Sequence, residues 1–116
     1  MSCPLDYSLC DQTVTVYRMA QGQLTRQVTD GAYLTVEYEQ TPGVNGEAYT
    51  VRCHVILAGE DACLLPGDRI LRGIGPEISP QDWGDFLPVR VPGLAQLERV
   101  KPFYWQGRQC HVEGGG

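Results

Sequence analysis

Two histidines and five cysteines are the side chains of this sequence best suited to chemistry. His54 and His111 could each act as a general base, and each falls within a stretch of alternating polar and apolar residues. A nucleophile and its base must meet within hydrogen-bond distance, yet no serine here lies in a nucleophile-elbow sequence. Histidines without a supporting motif are more often surface or packed side chains than bases. We therefore expect no catalytic residue and a protein that is not an enzyme.

The cysteines are odd in number, and they are Cys3, Cys10, Cys53, Cys63 and Cys110. Six residues separate Cys3 from Cys10, a gap too wide for the short knuckle that organises a zinc site. Cys53 and Cys110 alternate with valines, as small buried hydrophobic residues do. We expect reduced thiols, no obligatory disulfide, no bound metal and no cofactor.

Two long stretches alternate between apolar and polar residues, which is the pattern of half-buried strands. The first runs over residues 32–38 and the second over residues 49–57, with Pro-Gly and Asn-Gly turn formers between them at residues 40–47. We predict an antiparallel hairpin. The residues expected on its buried face are Leu34, Val36, Val51, Cys53 and Val55.

Shorter strand patterns occupy residues 13–18, 24–28, 95–100 and 109–113. Residues 64–73 indicate a tight turn that leads into a short strand ending at Gly73. Ser79, followed by Pro80, has the sequence of a short helix start, which Gly84 limits to a turn or two. These patterns predict an all-β fold: a small single-domain β-barrel or sandwich of about six strands, with long loops and one short helix. We expect an N-terminal arm at residues 1–12, the β domain at residues 13–113 and a flexible tail at residues 114–116.

The formal net charge of the 116 residues is -5, which disfavours wrapping a nucleic acid through its phosphates. No apolar run approaches the ~20 residues of a membrane helix, and the first residues lack the regions of a signal peptide. We expect a soluble protein made in the cytosol. The acidic excess is concentrated in residues 58–86, which hold six acids and two arginines.

Residues 58–86 also contain two large aromatic residues within a Pro- and Gly-rich connection. Aromatic side chains are enriched at the centres of protein interfaces. We therefore predict that this segment contacts neighbouring chains or lines a channel; the alternative is that Trp83 and Phe86 cap the open end of the barrel. The candidate interface residues are Glu60, Asp61, Glu77, Asp82, Trp83, Asp85 and Phe86.

The order of three features resembles small proteins that join the capsid to the tail in tailed phages and prophages, called head closure, stopper or head-tail connector proteins. Residues 13–18 and 31–37 look like the opening strands of that family. Residues 65–73 resemble its Gly-Asp turn and short strand, and residues 107–114 resemble its closing strand, which ends in Val-Glu-Gly. The N-terminal cysteines and the proline-rich residues 88–92 depart from the pattern.

This resemblance implies a small β-barrel that assembles as a homo-oligomeric ring, dodecameric in the family, at the virion neck. Its partners would be the portal-side adaptor and tail proteins, with packaged DNA passing through the channel without sequence-specific binding. Two alternatives remain open. One is another phage tail protein such as a tail terminator, and the other is a monomeric β-barrel binding module.

Overall fold

The computed structural model describes residues 5–43 and 46–116. Strands dominate the regular structure of these residues, and the helical content is one 3-10 turn at Pro80–Asp82. The strands are β1 (Gln12–Ala20), β2 (Gln23–Gly43), β3 (Gly46–Ala58), β4 (Arg69–Arg72), β5 (Ala95–Gln96), β6 (Arg99–Trp105) and β7 (Arg108–Gly115).

All seven strands belong to one antiparallel sheet in the order β5-β4-β1-β2-β3-β7-β6. The expected all-β class is confirmed. The sheet is not a closed barrel, because its outermost strands β5 and β6 do not pair with each other in the described residues. Alternation within a strand identifies its faces but not the order in which strands pair, so the sequence left this point open.

The main core lies on one face of the sheet, hereafter the inner face. Leu34 of β2 is paired with Val55 of β3, and both side chains are fully buried. Val36 and Cys53, the next pair on this face, are partly buried against the same core. The predicted hairpin is therefore confirmed. Of the five residues expected to be buried, Leu34 and Val55 are buried, whereas Val36, Val51 and Cys53 are only partly buried. The remaining buried core residues are Val14, Val16, Ala32, Leu57, Leu64, Ile70, Leu97 and Val112.

A second core lies on the opposite, outer face of β1 and β4. Tyr17 alternates with Val16 of the main core and packs edge-to-face on Phe86, with ring centroids 4.6 Å apart. Leu94 completes the buried part of this cluster. The connection from β4 to β5 thus folds back over the outer face instead of looping into solvent.

The start of that connection is bound by three side chains of β1 and β2. The Thr15 hydroxyl donates to the Gly73 carbonyl at 2.8 Å, and the Tyr17 hydroxyl donates to Pro76 at 2.6 Å. Arg26 donates to the carbonyl of Gly75. A side chain cannot replace the hydrogen at Gly75, because a Cβ there would lie 2.3 Å from the Tyr17 hydroxyl.

Both ends of the described chain pack against the sheet. The expected flexible tail at residues 114–116 instead continues β7, where Gly114 pairs with Val55. Gly116 exchanges two backbone hydrogen bonds with Cys53, at 3.0 and 3.2 Å. A Cβ at Gly114 would lie 2.8 Å from Leu97, so glycine allows this close packing. Repeated glycine suggested flexibility, whereas here it permits burial.

Candidate assembly surface

Strands β2 and β3 extend beyond their other neighbours as a two-stranded ribbon, defined as residues 35–43 and 46–52. β1 pairs with β2 only as far as Ala32, and β7 pairs with β3 only as far as His54. Past these points the ladder continues between β2 and β3 to the pair Gly43 and Gly46. The ribbon helps to make the molecule elongated, with extents of 54 × 32 × 22 Å.

At the base of the ribbon, the backbone groups of its two edges are hydrogen-bonded to different partners. On the β2 edge, the Leu34 N–H donates to Gln12 Oε1 at 3.0 Å, and the Leu34 carbonyl accepts from Arg72. On the β3 edge, Gly116 satisfies both backbone groups of Cys53. Because successive residues of a strand face alternate edges, the backbone groups of Val51 face the same edge as those of Cys53.

The row of inner-face side chains on β2 continues from the core onto the ribbon, where the side chains become more exposed to solvent. Leu34 is completely buried, Val36 is half-buried, and Tyr38 is 51% exposed. The Tyr38 hydroxyl accepts a hydrogen bond from the Gly93 N–H at 2.6 Å, which ties the base of the ribbon to the β4–β5 connection. Among the described residues, the ribbon therefore presents strand edges without a neighbouring strand, together with the side chains of Val36 and Tyr38.

The five acidic residues predicted at an interface are all exposed, but they lie in two places. Glu60 and Asp61 follow β3, where Glu60 forms an exposed ion pair with Arg108 at 3.5 Å. Glu77, Asp82 and Asp85 lie in the β4–β5 connection over the outer face. The structure thus divides the predicted acidic segment between two surfaces.

Asp82 has a local structural role as well as an exposed charge. Its carboxylate accepts from the Ser79 N–H at 3.0 Å and from the Ser79 hydroxyl at 2.9 Å. These hydrogen bonds lower the pKa of Asp82. The predicted helix start is confirmed at Ser79 and Pro80, although it yields only a 3-10 turn.

The two aromatic residues predicted at an interface are instead involved in packing within the chain. Phe86 is buried in the second core, and Trp83 is half-buried against it. Arg69 stacks on Trp83, with its guanidinium carbon 3.7 Å from the ring centroid. Both aromatic rings lie over the outer face of β1 and β4, and they do not cap a barrel end, because the sheet of the described residues is not a closed barrel.

Arg69 is the link between β4 and the segment that carries these aromatics. It is 93% buried (7% exposed), and its Nη1 donates to the carbonyls of Trp83 and Phe86 at 2.5 and 2.7 Å. Burial lowers the pKa of Arg69. No sequence signal distinguished this arginine, because its partners are backbone carbonyls 14 and 17 residues away.

An ion pair between Arg18 and the buried Asp68 holds the connection between β3 and β4. Arg18 of β1 donates from Nε and Nη2 to the two carboxylate oxygens of Asp68, at 2.8 and 2.7 Å. Asp68 is 1% exposed and also accepts from the Leu65 N–H. This bidentate pair raises the pKa of Arg18. It explains the Gly-Asp turn as a structural feature.

The two histidines differ in their surroundings. His54 is exposed on β3, whereas His111 on β7 is 3% exposed. The His111 ring stacks on Phe103, with centroids 4.6 Å apart, and the N-terminal arm places Tyr7 against its edge. Without Tyr7 and Phe103 this outer-face histidine would be open to solvent.

His111 lies between a hydroxyl and a carboxylate. The Tyr7 hydroxyl and Nδ1 form a hydrogen bond of 2.5 Å, and Nε2 lies 3.4 Å from Glu113 Oε1 without hydrogen-bond geometry. Burial, followed by nearby Cys10 and Glu113, raises the pKa of Tyr7, so the phenol keeps its proton at neutral pH. The cluster anchors the arm. Tyr7 and His111 are 104 residues apart, and nothing in the sequence paired them.

The structure corrects one prediction about the cysteines, the absence of a disulfide. Cys110 is disulfide-bonded, so the prediction of no disulfide is wrong at this residue. Cys10, Cys53 and Cys63 are free thiols, and burial raises the pKa of Cys10 and Cys53. Cys3 lies outside the described residues. Alternation with Val112 placed Cys110 correctly in the interior, but burial does not exclude a cross-link.

No helix in residues 5–43 and 46–116 has the length and apolar character needed to span a membrane. Comparisons of the chain with known protein families, curated proteins and solved structures gave no match.

Proposed function

We propose that this protein is a structural component of the virion of a tailed phage or prophage. In this proposal it is a head-tail connector of the head closure or stopper kind, forming a ring between the portal-side adaptor and the tail. The sequence resemblance in residues 13–114 supports the class. The observation that carries the assembly role is the projecting β2–β3 ribbon.

The ribbon is poorly suited to a monomer. A two-stranded ribbon without a third strand is marginally stable in water, and open strand edges readily pair with another chain. Here the edges are closed at Leu34 and Cys53 but continue outward past Val36 and Val51. Pairing with a neighbouring copy would satisfy these backbone groups and cover the exposed Tyr38.

Charge is consistent with a channel protein. The five acidic side chains at residues 60, 61, 77, 82 and 85 are exposed. Acidic walls repel phosphates and would let packaged DNA pass without sticking. A cation-rich surface would instead bind the phosphate backbone.

The ribbon can be tested with a matched pair of substitutions at Val51. Val51→Pro removes an N–H that faces the open edge, and proline is tolerated on strand edges. Val51→Thr keeps the N–H and the β-branched shape. Light scattering and negative-stain imaging should show rings for the natural chain and Val51→Thr, and a folded species that does not assemble for Val51→Pro. If both variants assembled equally well, the ribbon edge would not be the surface through which the copies pair.

The virion assignment needs a separate measurement. Antibody labelling of tailed particles from the bacterial strain that encodes the chain should mark the neck. A chain that is monomeric at all concentrations and absent from purified particles would support the binding-module alternative and overturn the proposal.

A further inference from the structure

The β4–β5 connection presents a fixed acidic surface, hereafter the acidic segment, defined as residues 73–86. It contains three acids and no basic residue. Glu77, Asp82 and Asp85 are exposed, and Ile74 beside them is 77% exposed. Hydrogen bonds from the strands and the buried Phe86 hold this backbone in place, so its charges are presented with little freedom to rearrange.

A groove of opposite charge lies on the outer face of β7 and β6, and we name it the basic groove. It has a volume of about 410 Å³ and includes Arg99 and Lys101. Among the described residues, neither cation has a carboxylate within ion-pair distance. The one carboxylate in the lining, Glu113, lies beside His111. The other lining residues are Cys53, His54, Val100, Gly114 and Gly115.

The two surfaces are separated within one chain. The acidic segment covers β1 and β4, the basic groove lies over β7 and β6, and strands β2 and β3 stand between them in the sheet. Two different complementary patches on one molecule produce a head-to-tail contact, which closes into a ring when the rotation between copies permits.

We infer that the basic groove of one copy receives the acidic segment of the next copy. This inference rests on the proposed ring. Arg99 and Lys101 would pair with carboxylates at positions 77 and 85. The Asp85 carboxylate forms an exposed ion pair with Arg90 at 3.2 Å, which can be exchanged for a cation of another copy.

A second copy fits the groove better than a nucleic acid does. The chain carries a net charge of -5, and Glu113 adds a negative charge to the groove itself. Phosphate binding depends on several cations acting together, whereas two cations suit two carboxylates of a protein segment.

A charge-exchange experiment tests this pairing. One variant carries Arg99→Glu and Lys101→Glu, and the other carries Glu77→Arg and Asp85→Arg. Each alone should raise the dissociation constant for self-association at least about tenfold, because like charges then meet at every contact. An equimolar mixture should recover assembly with the two variants alternating, since the reversed groove now meets the reversed segment. Arg108→Glu, outside the groove, is the matched control and should assemble normally.

The outcomes separate this inference from the proposed function. If the natural chain assembles but the mixture recovers nothing, or if each variant assembles alone, the pairing is wrong and the ring stands. DNA binding by the natural chain that is lost in Arg99→Glu with Lys101→Glu would assign the groove to nucleic acid and overturn the pairing. A natural chain that never self-associates overturns both.

Discussion

Two segments without strands lie on the outer face of the sheet, and they are held in different ways. The β4–β5 connection is fixed by hydrogen bonds from Thr15, Tyr17, Arg26 and Arg69 and by the second core around Phe86. The N-terminal arm, residues 5–11 of the described chain, packs on the sheet through the Tyr7 side chain, which contacts His111. An irregular segment becomes part of the fold when strand side chains satisfy its backbone groups.

The largest effect expected from this comparison follows loss of the aromatic anchor. Phe86→Ala should lower the free energy of unfolding by about 3–5 kcal/mol, because it opens a cavity beside Tyr17. Urea denaturation would measure the change. Ile74→Ala in the same segment is the control and should stay within about 0.5 kcal/mol, since Ile74 is exposed. If the Phe86→Ala variant were stable but failed to assemble, Phe86 would be an interface residue as first predicted.

Loss of the Arg69 guanidinium should have the next largest effect. Arg69→Lys keeps a charge but loses the planar group that stacks on Trp83 while Nη1 donates to the Trp83 and Phe86 carbonyls, so we expect a loss of about 1–3 kcal/mol. Trp83 fluorescence should shift to the red as its ring loses the guanidinium cover. Arg90→Lys, at an exposed position, should leave both quantities unchanged; an equal response from the two variants would contradict the anchoring role.

The arm should respond locally. Tyr7→Phe removes the hydrogen bond to His111 but keeps the ring, so global stability should fall by less than about 1 kcal/mol. Amide exchange at Cys10, whose N–H donates to the Tyr7 carbonyl at 2.9 Å, should accelerate while β1 amides do not change. Tyr104→Phe is a control at a 64% exposed position. If amide exchange became faster throughout the sheet, the arm would contribute as much to the stability of the sheet as the β4–β5 connection does.

The smallest effect concerns pH. The hydrogen bonds from Ser79 depress the pKa of Asp82 below its ordinary value of 3.8, so their stabilising contribution is complete above that value. It should disappear as the pH falls through the depressed pKa. The Ser79 amide resonance should report this transition, and Asp82→Asn should abolish it. A midpoint at or above 3.8 would show that the capping contacts are not formed in solution.

The central hairpin could be predicted because two independent signals agree there. Alternation placed Leu34 and Val55 on one face, and the turn formers at residues 40–47 joined the strands; the observed register satisfies both. The strand β6, at one edge of the sheet, was harder to predict. Phe103 and Trp105 fall between the predicted strands at residues 95–100 and 109–113, yet they belong to β6, whose edge position leaves Trp105 45% exposed. An edge strand with a register irregularity between Phe103 and Tyr104 has no clean period-two pattern.

The candidate surface was only partly predictable for a related reason. The exposed acidic residues could be identified from their charge alone. An aromatic residue buried in the core, such as Phe86, has the same sequence signature as one at an interface. The burial of Phe86 depends on Tyr17, which lies 69 positions earlier in the sequence. Contacts of this kind, like that between Tyr7 and His111, arise from strand order and not from local pattern.

The position of β7 has a consequence for the order of folding. This strand follows all the others in the sequence, yet it occupies an interior place in the sheet between β3 and β6. During synthesis, the β3 edge at residues 54–58 must therefore wait for residues 111–115 to leave the ribosome. Late pairing of distant strands is slow and leaves edges exposed to misassembly. A nascent chain stalled before residue 108 should accordingly be recognised by chaperones, whereas a chain in which residues 111–115 have paired with β3 should escape them.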